Sequence, residues 1–173
     1  MVVRVLSSAF ASMVVVASGA HAAAFDVYRS ACLDTGVDVA RIRAASGGWS
    51  QLTEVEREVL APGNGRSVEG WVIERDGARH LVSVSSRPAG AMAGERASSM
   101  IVTCSVLAPR TDEAAALRAY SDFLKRQPSS TDRFEGMSTY TWSVQDKGAM
   151  TLHYLVSGGT LPGLSFSVSS IRN

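Results

Sequence analysis

The chain has 173 residues, room for one domain with a genuine core, and its 17 Lys and Arg stand against 16 Asp and Glu. Arg4 lies in a leader-like opening, so without it 16 charges of each sign remain, and they are scattered. That balance excludes a long-range field selecting nucleic acid or an anionic membrane.

Residues 1–22 have the form of a signal peptide. Arg4 supplies the positive region, an apolar run reaches from Val5 to Val16, and Ala20-His21-Ala22 gives the small-x-small cleavage pattern. The mature protein is expected to begin near Ala23, to form a single α+β domain over 23–173, and to work in the periplasm or outside the cell. No later stretch approaches the ~20 apolar residues of a membrane helix, so no membrane insertion is expected after cleavage. The cysteines are Cys32 and Cys104. In an exported chain they invite one disulfide, because an oxidising compartment favours it and one intrachain pairing exists. Neither C-x-x-C spacing nor a ligand-spaced Cys/His set is present, so no redox role, metal or cofactor is expected.

Phe25, Tyr28 and Cys32, with Ala31 beside them, recur at helical spacing, and Gly36 interrupts that stripe. Asp38 is placed to cap a second helical piece carrying Val39, Ala40, Ile42 and Ala44, which Gly47-Gly48 ends before Trp49. Thr53-Glu54-Val55-Glu56 is a capping box for a short helix to about Leu60, stopped by Pro62-Gly63-Asn64-Gly65. Three strands follow, Val68–Glu74, His80–Ser86 and Ser99–Leu107, with Asp76-Gly77 a tight-hairpin signal between the first two. The loop Arg87–Arg96 has little with which to pack and is expected to be the most mobile interior segment. Met100, Val102, Cys104 and Val106 share the core phase of their strand.

Thr111-Asp112-Glu113 opens a helix with an apolar stripe of Ala116/Leu117, Tyr120 and Phe123/Leu124, closed by Pro128. After a polar loop, Ser129–Gly136, come strands Met137–Gln145, Ala149–Ser157 and Gly163–Ile171. Tyr140, Trp142 and Val144 form one apolar phase, Met150, Leu152, Tyr154 and Val156 a second, and Leu164, Phe166 and Val168 a third. The expected fold is α+β: an antiparallel sheet of about six strands with helices packed on one face, in the order α-βββ-α-βββ. The other face presents Ser and Thr ladders to water. No residue-level internal repeat stands out.

Asp34-Thr35-Gly36, between Ala31-Cys32-Leu33 and Val37-Asp38, looks like the catalytic signature of retroviral-type aspartic proteases. Such an enzyme pairs two aspartates that share a proton. That family needs a β-hairpin before the motif, whereas the residues here are helical, so Asp34 is read as the exit of a helix whose glycine turns left-handed. His153, on the polar phase beside Thr151, and His80, after the hairpin, are expected to face solvent. No G-x-S-x-G elbow is present to expose a nucleophile. Trp49 and Trp71, each preceded by glycine, either cover the core edge or line a groove for a sugar, a peptide or a partner.

The leader, Phe25 with Cys32 on an early helix, Gly48-Trp49 after it and Cys104 in mid-chain together resemble small exported proteins of unknown function from Gram-negative bacteria. The resemblance implies a periplasmic or secreted place of work and no activity. The sequence therefore points to a non-enzymatic interaction or ligand-binding domain, with an envelope or extracellular protein or a small ligand as partner and a hydrolase as the alternative. Trp49, Trp71, His153 and Asp34 are its surface or groove candidates, and no catalytic, cofactor or metal residue is assigned.

Overall fold

The computed structural model describes residues 19–60, 68–88, 100–146, 149–159 and 162–172. Most of the leader-like opening and the loop residues 61–67 and 89–99 lie outside the described residues, and with them all of the expected mobile segment Arg87–Arg96 except Arg87 and Pro88, which end a paired strand instead. Among these residues no helix is long and apolar enough to cross a membrane. The helices are α1 (Gly19–Tyr28), continued by a π-helical turn Arg29–Leu33, α2 (Val39–Ala45), α3 (Glu54–Leu60) and α4 (Glu113–Leu124). The strands are β1 (Ser50–Gln51), β2 (Val68–Arg75), β3 (Ala78–Pro88), β4 (Met100–Pro109), β5 (Ser130–Phe134), β6 (Met137–Asp146), β7 (Ala149–Gly158) and β8 (Gly163–Arg172). They make one antiparallel sheet of eight strands in the order β1-β2-β3-β4-β8-β7-β6-β5.

The α+β class holds, and the expected six strands become eight. The additions are the two edges. β1 has two residues, too few for any alternation, and β5 is exposed at every residue, so no apolar phase marks it. Helices also occupy both faces. On one face α1, its π turn and α4 cover Val82, Cys104, Val106, Trp142, Leu155, Phe166 and Val168. On the other, Leu52 and Leu60 of the α3 segment cover Val72, Leu81 and Leu107, which have the opposite strand phase.

The registers reveal a two-fold repeat. Trp71 pairs with Val82, and Val82 with Val106; Trp142 pairs with His153, and His153 with Val168. Across the centre Val106 pairs with Phe166 and Val168 with Cys104, so an axis through the Ser105–Ser167 pair exchanges the halves. The signal lies in the sequence after all. Gly-x-Ser-x3-Trp-x5-Gly-Ala occurs from Gly65 to Ala78 and again from Gly136 to Ala149, and Ala-Ala-Ala-x3-Tyr ends at both Tyr28 and Tyr120. The alanine that ends each motif closes a hairpin, pairing as Arg75–Ala78 or Asp146–Ala149. The halves differ where α3 covers one of them: Val72, Leu81 and Leu107 correspond to Ser143, which is exposed, Leu152, and Ser169, whose hydroxyl bonds to Thr103.

The axis runs beneath the two equivalent helices, where Tyr28 of α1 meets Tyr120 of α4. Tyr28 stacks on Phe166 with ring centroids 5.4 Å apart, and Tyr120 lies 4.6 Å from Trp142, whose Nε1 donates to the Arg126 carbonyl. Cys32 and Cys104, both fully buried, lie at disulfide distance with their Sγ atoms 1.98 Å apart, tying the α1 end to β4 at the axis. This is the pairing expected from the sequence. The core cluster begins at Ala24, so loss of residues 1–22 would leave it whole.

Thr53 caps α3 as expected: its backbone N–H donates to Glu56 Oε2 at 2.8 Å, and its Oγ1 accepts from the Glu56 N–H at 3.3 Å. The approach to α3 requires glycine on β2. A Cβ at position 70 would stand 2.1 Å from Leu52 Cδ1 and 2.9 Å from the Val82 carbonyl oxygen. Gly70→Ala is therefore expected to destabilise the protein by about 1–3 kcal/mol, the usual range for overpacking. Urea unfolding of the variant beside wild type measures it; an unchanged midpoint would mean that Leu52 is not held where the fold places it.

Candidate functional site

Asp34 lies at the exit of the π turn. Its N–H donates to the Arg29 carbonyl, Thr35 Oγ1 donates to the carbonyls of Ala31 and Cys32, and Gly36 follows at φ +64°. This is the glycine-turned helix end anticipated from the sequence. The Asp34 carboxylate is exposed and 3.9 Å from Arg29 Nε.

His153 does not face solvent. The phase of β7 that carries Thr151, His153, Leu155 and Ser157 lies under α4, and the apolar phase Met150, Leu152, Tyr154 and Val156 is the more exposed one. The two-fold repeat dictates this, because His153 pairs with Trp142 and occupies the position of Val82. Hydrogen bonds link the whole cluster. Tyr120 Oη donates to the Ser167 carbonyl at 3.0 Å and meets Tyr28 Oη and, at 3.2 Å, His153 Nδ1, while Thr151 Oγ1 lies 3.2 Å from His153 Nε2 and donates to the Val144 carbonyl at 3.4 Å. Burial, then the Arg126 charge, push the His153 pKa down to about 4. Burial likewise raises both tyrosines, so the cluster is neutral.

His80 is also buried, contrary to expectation, and neither ring nitrogen has a hydrogen-bond partner of good geometry among the described residues. Burial lowers its pKa, against weaker upward pulls from the Arg75 backbone and Asp76. At the start of α4, Glu113 accepts from Tyr140 Oη and Ser157 Oγ, both at 2.5 Å. Those bonds, Ser157 first, hold its carboxyl below the usual range and fasten α4 to β6 and β7. His153 and a well-placed carboxylate thus tie elements together, and His80 is buried in the sheet.

The remaining candidates, Trp49 and Trp71, do come together. After α2 a 3₁₀ turn, Ser46–Gly48, delivers Trp49 in extended conformation, and its ring meets that of Trp71 edge-on with centroids 6.1 Å apart. β1 follows and pairs Ser50 with Val72 and Gln51 with Trp71. There it stops, because Leu52 packs beside Gly70 on the other face and Thr53 starts α3. A cleft of about 360 Å³ opens at this point, lined by Arg43, Ser46, Gln51, Arg57, Val68, Glu69, Gly70 and Trp71.

Arg43 reaches across the sheet edge to Glu69. Its Nε donates to Oε2 at 2.6 Å and its terminal nitrogen to Oε1, a bidentate pair that lowers the Glu69 pKa and raises that of Arg43. Arg57, on the other wall, makes no ion pair among the described residues. The cleft therefore has one neutralised pair and one cation in excess. Sequence reasoning found its Trp71, against which Trp49 packs, and missed Arg43, Gln51, Arg57 and Glu69. Periodicity cannot show that residues 43 and 69 meet; the available signal was Gly70, a glycine inside a strand, which marks close approach of another segment. Among the described residues no group of three or more His, Cys, Asp or Glu could hold a metal ion. The chain matches no family model, no curated protein and no solved structure, so this cleft is read from its own geometry.

Proposed function

We propose that this is an exported, non-enzymatic interaction domain that binds its ligand in the cleft between α2 and α3 at the open end of the β2 edge. One observation carries the reading: the cleft gathers Trp71, Gln51, Ser46, the Arg43–Glu69 pair and the unpaired Arg57 around a concave space of about 360 Å³, within the size range of small-ligand sites. The titratable groups that would otherwise support hydrolysis are elsewhere. Asp34 is exposed at a helix end, and His153 and Glu113 are held by hydrogen bonds within the fold. The buried disulfide supports an oxidising place of work, the periplasm or the exterior.

Gln51→Tyr tests the site. The residue is exposed, tyrosine suits a strand, and its ring would fill the cleft, so stability should stay within about 0.5 kcal/mol of wild type. Mature wild type and variant are immobilised side by side and exposed to native envelope and medium extracts. Material retained by wild type and lost on the variant, small molecules included, is the expected result. Equal retention by both, or peptide cleavage that disappears in Asp34→Asn, would overturn the reading.

A further inference from the structure

We infer that the cleft takes an extended peptide bearing a carboxylate, which adds to β2 as a strand where β1 stops; this rests on the cleft being the binding surface. β2 pairs along its full length with β3, but on its other side β1 reaches only Trp71 and Val72. Continuing the same antiparallel register would set further residues opposite Gly70, Glu69 and Val68. The chain does not supply them: Leu52 turns onto the other face, and the Thr53 N–H is already taken by Glu56. On that side Val68–Gly70 has no backbone partner among the described residues. Alternate residues of an antiparallel edge direct both N–H and C=O outward, so this stretch offers one or two ladder pairs to an incoming strand.

Charge selects the class of strand. Glu69 is already neutralised by Arg43, so the nearest strand-facing carboxylate repels nothing, and Arg57 is left as a guanidinium fork for an acidic side chain or a chain terminus. The opposite edge of the sheet shows the contrast. β5 carries Asp132 and Arg133 in succession on a fully exposed strand, charges of both signs that discourage edge pairing. At the open end of β2 the charges differ in being paired with each other, Arg43 to Glu69, and Gly70 contributes no side chain.

The test uses the mature protein and three probes: an N-acetylated heptapeptide of alternating Val and Thr with a central Glu, the same peptide with Gln in its place, and a neutral hexasaccharide. The Glu peptide is expected to change Trp49 and Trp71 emission saturably, to protect amides of Val68–Gly70 from hydrogen exchange, and to bind at least about tenfold more tightly than the Gln peptide. Arg57→Gln should erase that difference without altering the unfolding midpoint. Equal binding of the Glu and Gln peptides, or a response to the hexasaccharide alone, overturns strand addition by an acidic peptide. So does retention of envelope material that Gln51→Tyr abolishes while neither peptide binds, an outcome that leaves the cleft itself as the binding surface. Equal retention by Gln51→Tyr and wild type would instead remove the cleft reading beneath both.

Discussion

Replacing Cys32 and Cys104 together by alanine is expected to lower the stability of the mature protein by about 4 kcal/mol while leaving its far-ultraviolet spectrum in mild buffer unchanged. The two residues are 72 positions apart, and in the chain-entropy model a cross-link closing a loop of that length removes about that much freedom from the unfolded chain. The position of the bond raises its importance. Cys32 belongs to the only segment that joins α1 to the rest of the first half, and Cys104 lies one residue from the axis through Ser105 and Ser167. Both side chains are fully buried, which makes alanine the better replacement, since serine would bury two hydroxyls as well. Losing this amount removes a large share of an ordinary domain's net stability. Urea unfolding monitored by tryptophan emission measures the change, and peptide mapping without reductant checks the pairing. Two free thiols, or a double variant as stable as wild type, would show that α1 is held by Tyr28, Phe25 and their aromatic neighbours without the bond.

The parts of this fold that sequence made legible are those where one phase of an element is apolar and the other polar. Trp142 with Tyr140, Phe166 with Leu164 and Val168, and Cys104 with Val102 and Val106 all face the helices as their alternation requires. β7 was misread because both of its phases carry bulky groups. Leu152, Tyr154 and Val156 outweigh Thr151 and His153 on any hydropathy count, yet the register with Trp142 and Val168 turns His153 inward. Pairing, a non-local property, decided the matter. The two edge strands escaped for a related reason: β1 is too short and β5 too exposed for hydropathy to speak. The repeat was available to anyone comparing Trp71 and Trp142 with the glycine-alanine pairs that follow each. It is faint because the shared spacing involves few residues, while core positions such as Val82 and His153 differ in chemistry. The cleft was half legible. Its aromatic residue, Trp71, showed in the Gly70-Trp71 pair, but Arg43, Arg57 and Glu69 are ordinary surface charges until the fold brings α2, α3 and β2 together.

The inward turn of His153 makes the fold sensitive to acid. Its folded pKa is depressed to about 4 by burial and by the Arg126 charge, whereas in the unfolded chain it is near 6.5. Between those values the unfolded chain binds a proton that the folded protein refuses, so stability is full above about pH 6.5 and falls as the pH drops toward 4. A gap of that size corresponds to about 3 kcal/mol over the whole window. His80, lowered by its own burial, acts in the same direction. Glu113, whose carboxyl is also depressed, adds its loss only below the ordinary carboxylate range. The physical cost is local: a protonated imidazole would donate from both nitrogens and bring a charge into a buried site where the groups facing it are the neutral hydroxyls Tyr120 Oη and Thr151 Oγ1. Tyr120 would carry the strain onward, since its Oη also meets Tyr28 and the Ser167 carbonyl at the junction of α1 and α4. Urea unfolding at pH 7 and pH 4.5 should show wild type losing about 2–3 kcal/mol through this residue. His153→Asn keeps a donor toward Tyr120 but cannot titrate, so it should be less stable at pH 7 and lose correspondingly less on going to pH 4.5. An equal loss in both proteins, or an imidazole that titrates near pH 6.5 by NMR in the folded state, would place His153 in contact with water and undo its assignment to the buried junction.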